Sequence, residues 1–367
     1  MADITRRNVI HGTLAGLSAV GAGVGGALPA LAVPFKGAKV GFKLCELWGN
    51  PTGPEITLAK QIGVTHVITS GGLGRNRKED YAAAALKHKA DWAAVGMTIA
   101  GVEGHPTPFE GLKAGTETAD AEIEQAKWGI EALSKAGINM ICYNFMAGLG
   151  WTRTNTKLPE RGGALTSEFD ASAPAMQGLT RVGEISEEKM WANITKYLKE
   201  VIPVAEKFKV KMALHPDDPP LSPLRGVARI CTSARNYRRI MDIVPSPYNG
   251  VTFCQGNFKL MGDEDVYAVA KEFTRKKKIF FVHWRDVEGN KTHFHETFHD
   301  NGPTDMAKLL EIYSKNGFDG PIRPDHAPAL ASDNVGERGS SGYTMGAKVL
   351  AFGYMRGLME GMKLPYA

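Results

Sequence analysis

Short apolar runs alternate with amphipathic stretches along the chain, and the alternation persists from residue 39 to near the C-terminus. The runs are 39–45 (KVGFKLC), 65–70 (THVITS), 97–102 (MTIAGV), 139–145 (NMICYNF), 210–215 (VKMALH), 250–254 (GVTFC), 279–283 (IFFVH) and 321–325 (PIRPD). Nearly unbroken apolar strands separated by helices imply a parallel sheet buried on both faces. Apolar positions recur at helical spacing over 78–95, 118–136, 186–208 and 304–315. Glycine follows several of these, as in AVG, KAG and KNG, the expected helix stop. Eight strand–helix units predict an α/β fold, a single (β/α)8 TIM barrel over residues 33–367. A doubly wound open sheet is the competing fold, but no glycine-rich phosphate loop follows the first strand. One interval, 146–183, is too long and too rich in Gly, Ser, Thr and Pro for a plain connection. It is expected to be a long loop over the active-site face.

The first 32 residues break the pattern. Arg6 and Arg7 precede a weakly apolar, Gly/Ala-rich run over 14–28, and Ala30-Leu31-Ala32 supplies a small-x-small cleavage site. This layout predicts a twin-arginine export signal over 1–32 and a periplasmic mature protein beginning at Val33. The run is too glycine-rich for a membrane span, so no membrane association is expected beyond the signal.

Composition is that of a soluble enzyme, with 43% apolar and 23% charged residues in 367. The net charge of +5 is scattered, and the one dense basic run, 275–278, reads as a solvated loop, so no nucleic acid is expected as partner. Four cysteines, Cys45, Cys142, Cys231 and Cys254, form no CxxC pair.

The last four strands end in LHPDD, FCQG, VHWRD and RPDH, delivering His215, Cys254, His283 and Asp325 at separations of 39, 29 and 42 residues. Each spacing is about one βα unit, so a closed barrel brings the four side chains around one point. Singly, they read as a structural histidine, a buried thiol and a turn aspartate. Together, on the face where barrel enzymes work, they predict a divalent metal site. Two imidazoles, a thiolate and a carboxylate disfavour magnesium and calcium and leave zinc, manganese, iron and cobalt. His326 beside Asp325, and Tyr343 in SGYTMG, are the acid/base candidates. The stretch THFHETFHDNG carries His293, His295 and His299 with Glu296, expected in a loop facing or supporting the substrate.

With these residues in hand, the chain resembles the mannonate dehydratases, barrel enzymes of the xylose-isomerase-like superfamily. The resemblance rests on CYNFMAGLGWTRT (142–154), IPVAEKFKVKMALHPDDPP (202–220), FCQGNF (253–258), FVHWRDV (281–287), FHETFHDNGPTDM (294–306) and IRPDHAP (322–328). It implies manganese, with Fe2+, Co2+ or Zn2+ as substitutes, on His215, Cys254, His283 and Asp325, and proton transfer by His326 and Tyr343. It implies loss of water from a sugar acid to give a 2-keto-3-deoxy acid. Arg153 is expected to clamp substrate oxygens, with Asn144, Asp217, Arg285 and His295 as further substrate-binding candidates. The competing activity is a metal-dependent sugar isomerase or epimerase, distinguished by the absence of water loss. An exported sugar-binding protein is a third reading, against which the proton-transfer pair argues. A homo-oligomer is compatible with the sequence.

Overall fold

A computed structural model describes residues 41–70, 73, 77–333 and 342–367. The export signal expected over 1–32 lies outside the described residues. Among the described residues the strands are β1 (Lys43–Leu47), β2 (His66–Thr69), β3 (Thr98–Glu103), β4 (Met140–Tyr143), β5 (Asn155–Pro159) and β6 (Leu165–Asp170). They continue with β7 (Lys211–Leu214), β8 (Asn249–Cys254), β9 (Ile279–Trp284), β10 (Val287–Asn290), β11 (His293–Glu296) and β12 (Pro321–Pro324). Eight of them close a parallel barrel in the order β1-β12-β9-β8-β7-β4-β3-β2. These are the eight apolar runs read from the sequence, with ends displaced by a few residues. The first strand starts at Lys43 and runs to Leu47, later than the expected 39–45.

The four expected helices are present. Lys78–Asp80 is a 3-10 turn leading into the helix Tyr81–Ala94, and Ala119–Lys135, Glu187–Phe208 and Met306–Lys315 follow. Their starts have a physical cause: Ser186 accepts from the amide of Lys189, and Asp305 from that of Lys308, capping otherwise unpaired helix amides. The helix Glu187–Phe208 buries Met190, Ile194, Tyr197, Leu198, Val201 and Ile202 against the barrel wall. At Gly250 in β8, a β carbon would stand 2.4 Å from the carbonyl oxygen of Lys278. Glycine there lets β8 and the start of β9 approach closely.

The interval 146–183 differs from the expected loop. It contains β5 and β6, which join β10 and β11 in a four-stranded antiparallel sheet of order β10-β11-β6-β5. The histidine-rich stretch after the seventh barrel strand is likewise strand, not loop. Phe294 of β11 pairs with Phe169 of β6, and both are buried with Leu224, Leu260 and Val287 in a small separate core. Neither hairpin could bury enough apolar surface alone, and the pairing partners are more than a hundred residues apart. Periodicity within either segment does not reveal such a sheet.

All four cysteines are buried and free. The run 275–278 is solvated at Arg275, Lys276 and Lys277, while Lys278 is partly buried and donates to the carbonyls of Ser246 and Asn249. No helix among the described residues is long and apolar enough to cross a membrane.

Candidate active site

Four neighbouring strands, β7, β8, β9 and β12, carry the metal-competent side chains at their C-terminal ends. Cys254 and His283 are register partners across β8 and β9, and His283 faces Arg323 across β9 and β12. Nε2 of His215 lies 3.2 Å from Nδ1 of His283. A carboxylate oxygen of Asp325, Oδ2, lies 3.4 Å from that same Nδ1 and 4.0 Å from Sγ of Cys254. The donor atoms of His215, Cys254 and His283 all fall within 4.8 Å of one another.

Hydrogen bonding decides which nitrogens are free. Nδ1 of His215 is 2.7 Å from the carbonyl oxygen of Pro216, which can only accept, so the proton sits on Nδ1 and Nε2 keeps its lone pair. Nε2 of His283 lies 3.3 Å from Oε2 of Glu103, an ion-pair contact. Burial and Arg323 oppose protonation of His283, yet Glu103 and Asp325 raise its imidazole well above the ordinary value. A proton or a cation held among His215, His283 and Asp325 satisfies this cluster, and the two compete for it.

Charge points the same way. Burial alone would raise the Cys254 thiol, but Arg285 and hydrogen bonds from His215 and His283 outweigh it and hold the thiol at about 5. Burial also opposes ionisation of Asp325, yet Arg323, His326 and His283 keep it well below the ordinary carboxylate range. Cys254, Asp325, Glu103, Glu46, Asp218 and Glu296 are paired in this region with Arg323, Lys348, Arg285 and Arg153. With both imidazoles neutral, as ligands must be, six acidic groups face four cations, a balance that favours a divalent ion. Oδ1 of Asp325 is held by Arg323 at 2.8 Å, while Oδ2 stays beside His283 and Cys254, on the side where a cation would bind. The residues present fit a divalent metal.

A pocket of about 140 Å³ opens above this point, lined by His215, His283, Asp325, His326 and Tyr343 with Glu103, Asn144, Trp151, Asp218 and Arg323 among others. Nε2 of His326 is 2.6 Å from the hydroxyl of Tyr343. Tyr343 exposes 40% of its surface, but its hydroxyl turns inward onto that imidazole. Loss of water around the hydroxyl, and Asp325, push it above the ordinary phenol range, with Arg323 working against them. The ring of Trp151 stands 5.2 Å from that of His326 and gives the pocket an apolar wall.

Several expected substrate contacts fall elsewhere. Asn144 lines the pocket, its oxygen accepting from the amide of Met146. Arg153 is not a free clamp: its buried guanidinium pairs with Asp218 at 2.6 Å and Glu296 at 2.5 Å. Arg285 is also fully buried, paired with Asp218 and Glu296 and donating to Cys254. Asp217 is buried against Arg229 at 3.2 Å and the amide of Cys231, and its neighbour Asp218 faces the pocket instead. His295 lies in the antiparallel sheet near Glu160 and Glu288, outside the pocket lining. His293 pairs with Glu168 on the surface, and His299 is buried, stacked on Trp284. Side-chain alternation in β11 explains the difference: His293 and His295 share the solvent side while Phe294 and Glu296 turn inward.

Residues the sequence reading passed over are Glu103, Asp218 and Arg323, and Glu296 in its present role. Glu103 and Arg323 sit at the ends of β3 and β12, so the strand-end reasoning that picked out the candidate ligands reaches them too. Asp218 follows β7 in the LHPDD stretch, next to the Asp217 chosen from sequence, whereas the orientation of Glu296 depends on the antiparallel sheet.

The sequence profile of D-mannonate dehydratase (UxuA) matches residues 47–181 and 174–366. The chain belongs to the mannonate dehydratase family. Mannonate dehydratase from Streptococcus equi subsp. zooepidemicus is 32% identical over 301 residues, 75% of this chain and 81% of that protein. The enzyme of that name from Thermotoga petrophila is 34% identical over 292 residues, 69% and 78% of the two chains. The crystal structure of mannonate dehydratase from Streptococcus suis serotype 2 superposes with a TM-score of 0.79 at 29% identity, covering 89% of this chain and 96% of that one. A 3-keto-D-glucoside 4-epimerase from E. coli shares the barrel fold alone, at 14% identity and a TM-score of 0.56. This member of the mannonate dehydratase family is therefore a metal-dependent hydro-lyase of a sugar acid, and the isomerase or epimerase reading gives way.

Proposed function

We propose that this enzyme removes water from an aldonic acid of the mannonate type, with manganese held by His215, Cys254, His283 and Asp325 and protons moved by His326 and Tyr343. The observation that carries the reading is the 2.6 Å contact between His326 and Tyr343 at the rim of the cluster of His215, Cys254, His283 and Asp325. When bound, the ion supplies Lewis acidity toward the substrate's oxygens, which favours negative charge developing next to the carboxylate. Iron, cobalt or zinc would serve the same donor set.

The reaction takes the proton from C2 and expels the 3-hydroxyl as water, leaving an enol that becomes the 2-keto-3-deoxy acid. His326 and Tyr343 share one hydrogen bond, so the pair can accept the C2 proton at one atom and deliver a proton to the departing oxygen from the other. Trp151 and Met146 offer the apolar wall against which the carbon chain packs. We assign the protein to the periplasm through a twin-arginine signal over 1–32, on the sequence alone; a homo-oligomer is compatible with that sequence, for sedimentation to check.

The test is incubation of manganese-loaded protein with D-mannonate and a panel of aldonic and uronic acids. A 2-keto-3-deoxy product and a mass loss of one water are expected for at least one aldonic acid. Isomerised or epimerised product without loss of water would sink the reading.

A further inference from the structure

One buried side chain touches both halves of this chemistry. Arg285 follows the ligand His283 by two residues and is fully buried. Its Nε donates to Sγ of Cys254 at 3.1 Å. Nη1 reaches Glu296 and lies 3.2 Å from Nδ1 of His326. Nη2 donates to Asp218 at 2.8 Å and to the side-chain oxygen of Asn257 at 2.5 Å. A guanidinium has five N–H donors, and each finds a partner here, so the plane cannot turn without losing one. The space for it depends on Gly256, where a β carbon would stand 3.2 Å from both Nε and Cζ of Arg285. Nδ1 of His326 has a donor in Arg285 and an acceptor in Glu296, each 3.2 Å away. The ring keeps its place whichever nitrogen carries the proton.

We propose that Arg285 is a positioning residue that ties the thiolate ligand of the metal centre to the proton-transfer histidine. Its donation to Sγ sets how strongly the thiolate donates to the ion, and the same rigid fork fixes where Nε2 of His326 meets Tyr343. Lysine cannot replace it, because an ammonium has no fork to span two groups. The inference rests on the metal site proposed above.

Cobalt-loaded enzyme tests it, because coordination by a thiolate gives a charge-transfer absorption that reports the sulfur directly. Arg285→Lys keeps the charge and loses the fork. Asn257→Ala keeps every buried charge and loses the acceptor that anchors Nη2, which guards against failure of the first variant to fold. In both, the absorption is expected to shift and kcat to fall about 10- to 100-fold, the usual effect of removing such a supporting contact, with KM nearly unchanged. A parent enzyme lacking the absorption overturns the metal site and the inference with it. A parent that has it, with variants matching it in both absorption and kcat, overturns the inference alone. Lost turnover with unshifted absorption also overturns it, because the two ends would then be uncoupled.

Discussion

Nε2 of His215 faces Nδ1 of His283 across 3.2 Å, with Nδ1 of the first ring held by the Pro216 carbonyl and Nε2 of the second 3.3 Å from Glu103. A shared ion explains the contact, and it makes the first prediction. His215→Ala and Cys254→Ser should each weaken binding of manganese or cobalt by on the order of tenfold or more and leave the metal-free unfolding midpoint nearly unchanged. The ligands sit at the rim of the barrel and not in its packed interior. Affinity should also fall as pH is lowered, because protons compete for the ligands. Titration calorimetry and elemental analysis measure both, and unchanged stoichiometric metal in both variants would rule out the four-strand site.

Arg153 connects the segment after β4 to Asp218 and Glu296 with no exposed surface on any of the three side chains beyond 1%. Removing it leaves two buried carboxylates with Arg285 as their one shared cation, and His326 against Glu296. Arg153→Met should therefore cost about 3–5 kcal/mol of stability, the usual loss on breaking a buried pair from one side. Urea unfolding reads it directly. A variant with parental stability and only a raised KM would instead restore Arg153 as a substrate clamp.

What was legible in the sequence follows from where the information is local. The barrel strands are short, mainly apolar runs, and His215, Cys254, His283 and Asp325 lie at or just past their C-terminal ends, so the eight strands and this candidate ligand set could be read from position alone. The roles of Arg153 and Arg285 could not. Arginine at a strand end is equally suited to a substrate oxygen or a buried carboxylate, and the choice depends on Asp218 and Glu296, one of them delivered by a sheet built from distant hairpins. The alternation of β11 decides that Glu296 turns inward and His295 outward, and that alternation was invisible while the segment was read as loop.

Two imidazoles, His299 buried and His105 half-buried, predict how stability depends on pH. Burial lowers His299 to about 4 and His105 to about 3, against an ordinary 6.5. Both stay neutral in the native protein where the unfolded chain has already taken up protons. The unfolded state thus binds more protons below 6.5, and stability rises with pH. Their contribution is complete above about 6.5 and drains away as pH falls toward 4 and then 3. His299→Gln and His105→Gln should each flatten the fall of the urea midpoint between neutral and acid pH. A slope identical to the parent's in both variants would show that these histidines are not its source.

The leader makes a prediction of its own. If Arg6 and Arg7 with Ala30-Leu31-Ala32 form a cleaved twin-arginine signal, the exported protein begins at Val33, and Arg6→Lys with Arg7→Lys leaves it in the cytoplasm. N-terminal sequencing of the periplasmic fraction checks both. A membrane-bound form that keeps Arg6 and Arg7 would mean an anchor.

The hydroxyl of Tyr343 touches nothing in the metal cluster directly but lies 2.6 Å from Nε2 of His326, and the two rings meet nearly edge to face at 78°. Tyr343→Phe preserves that packing and deletes one proton carrier. Because the hydroxyl is needed only as a proton moves, the loss should appear in kcat, about 10²–10⁴-fold, with KM changed little. His326→Asn should act similarly while Asp325 still holds the ion. In deuterated solvent the parent's product should carry deuterium at C3, since the enol is reprotonated from a pair that exchanges with water. Residual turnover in Tyr343→Phe should give product labelled in the same way, because ketonisation follows the slow step. Full turnover in both variants on the best substrate found would mean that some other pair moves the protons, and that the contact between His326 and Tyr343 is only structural.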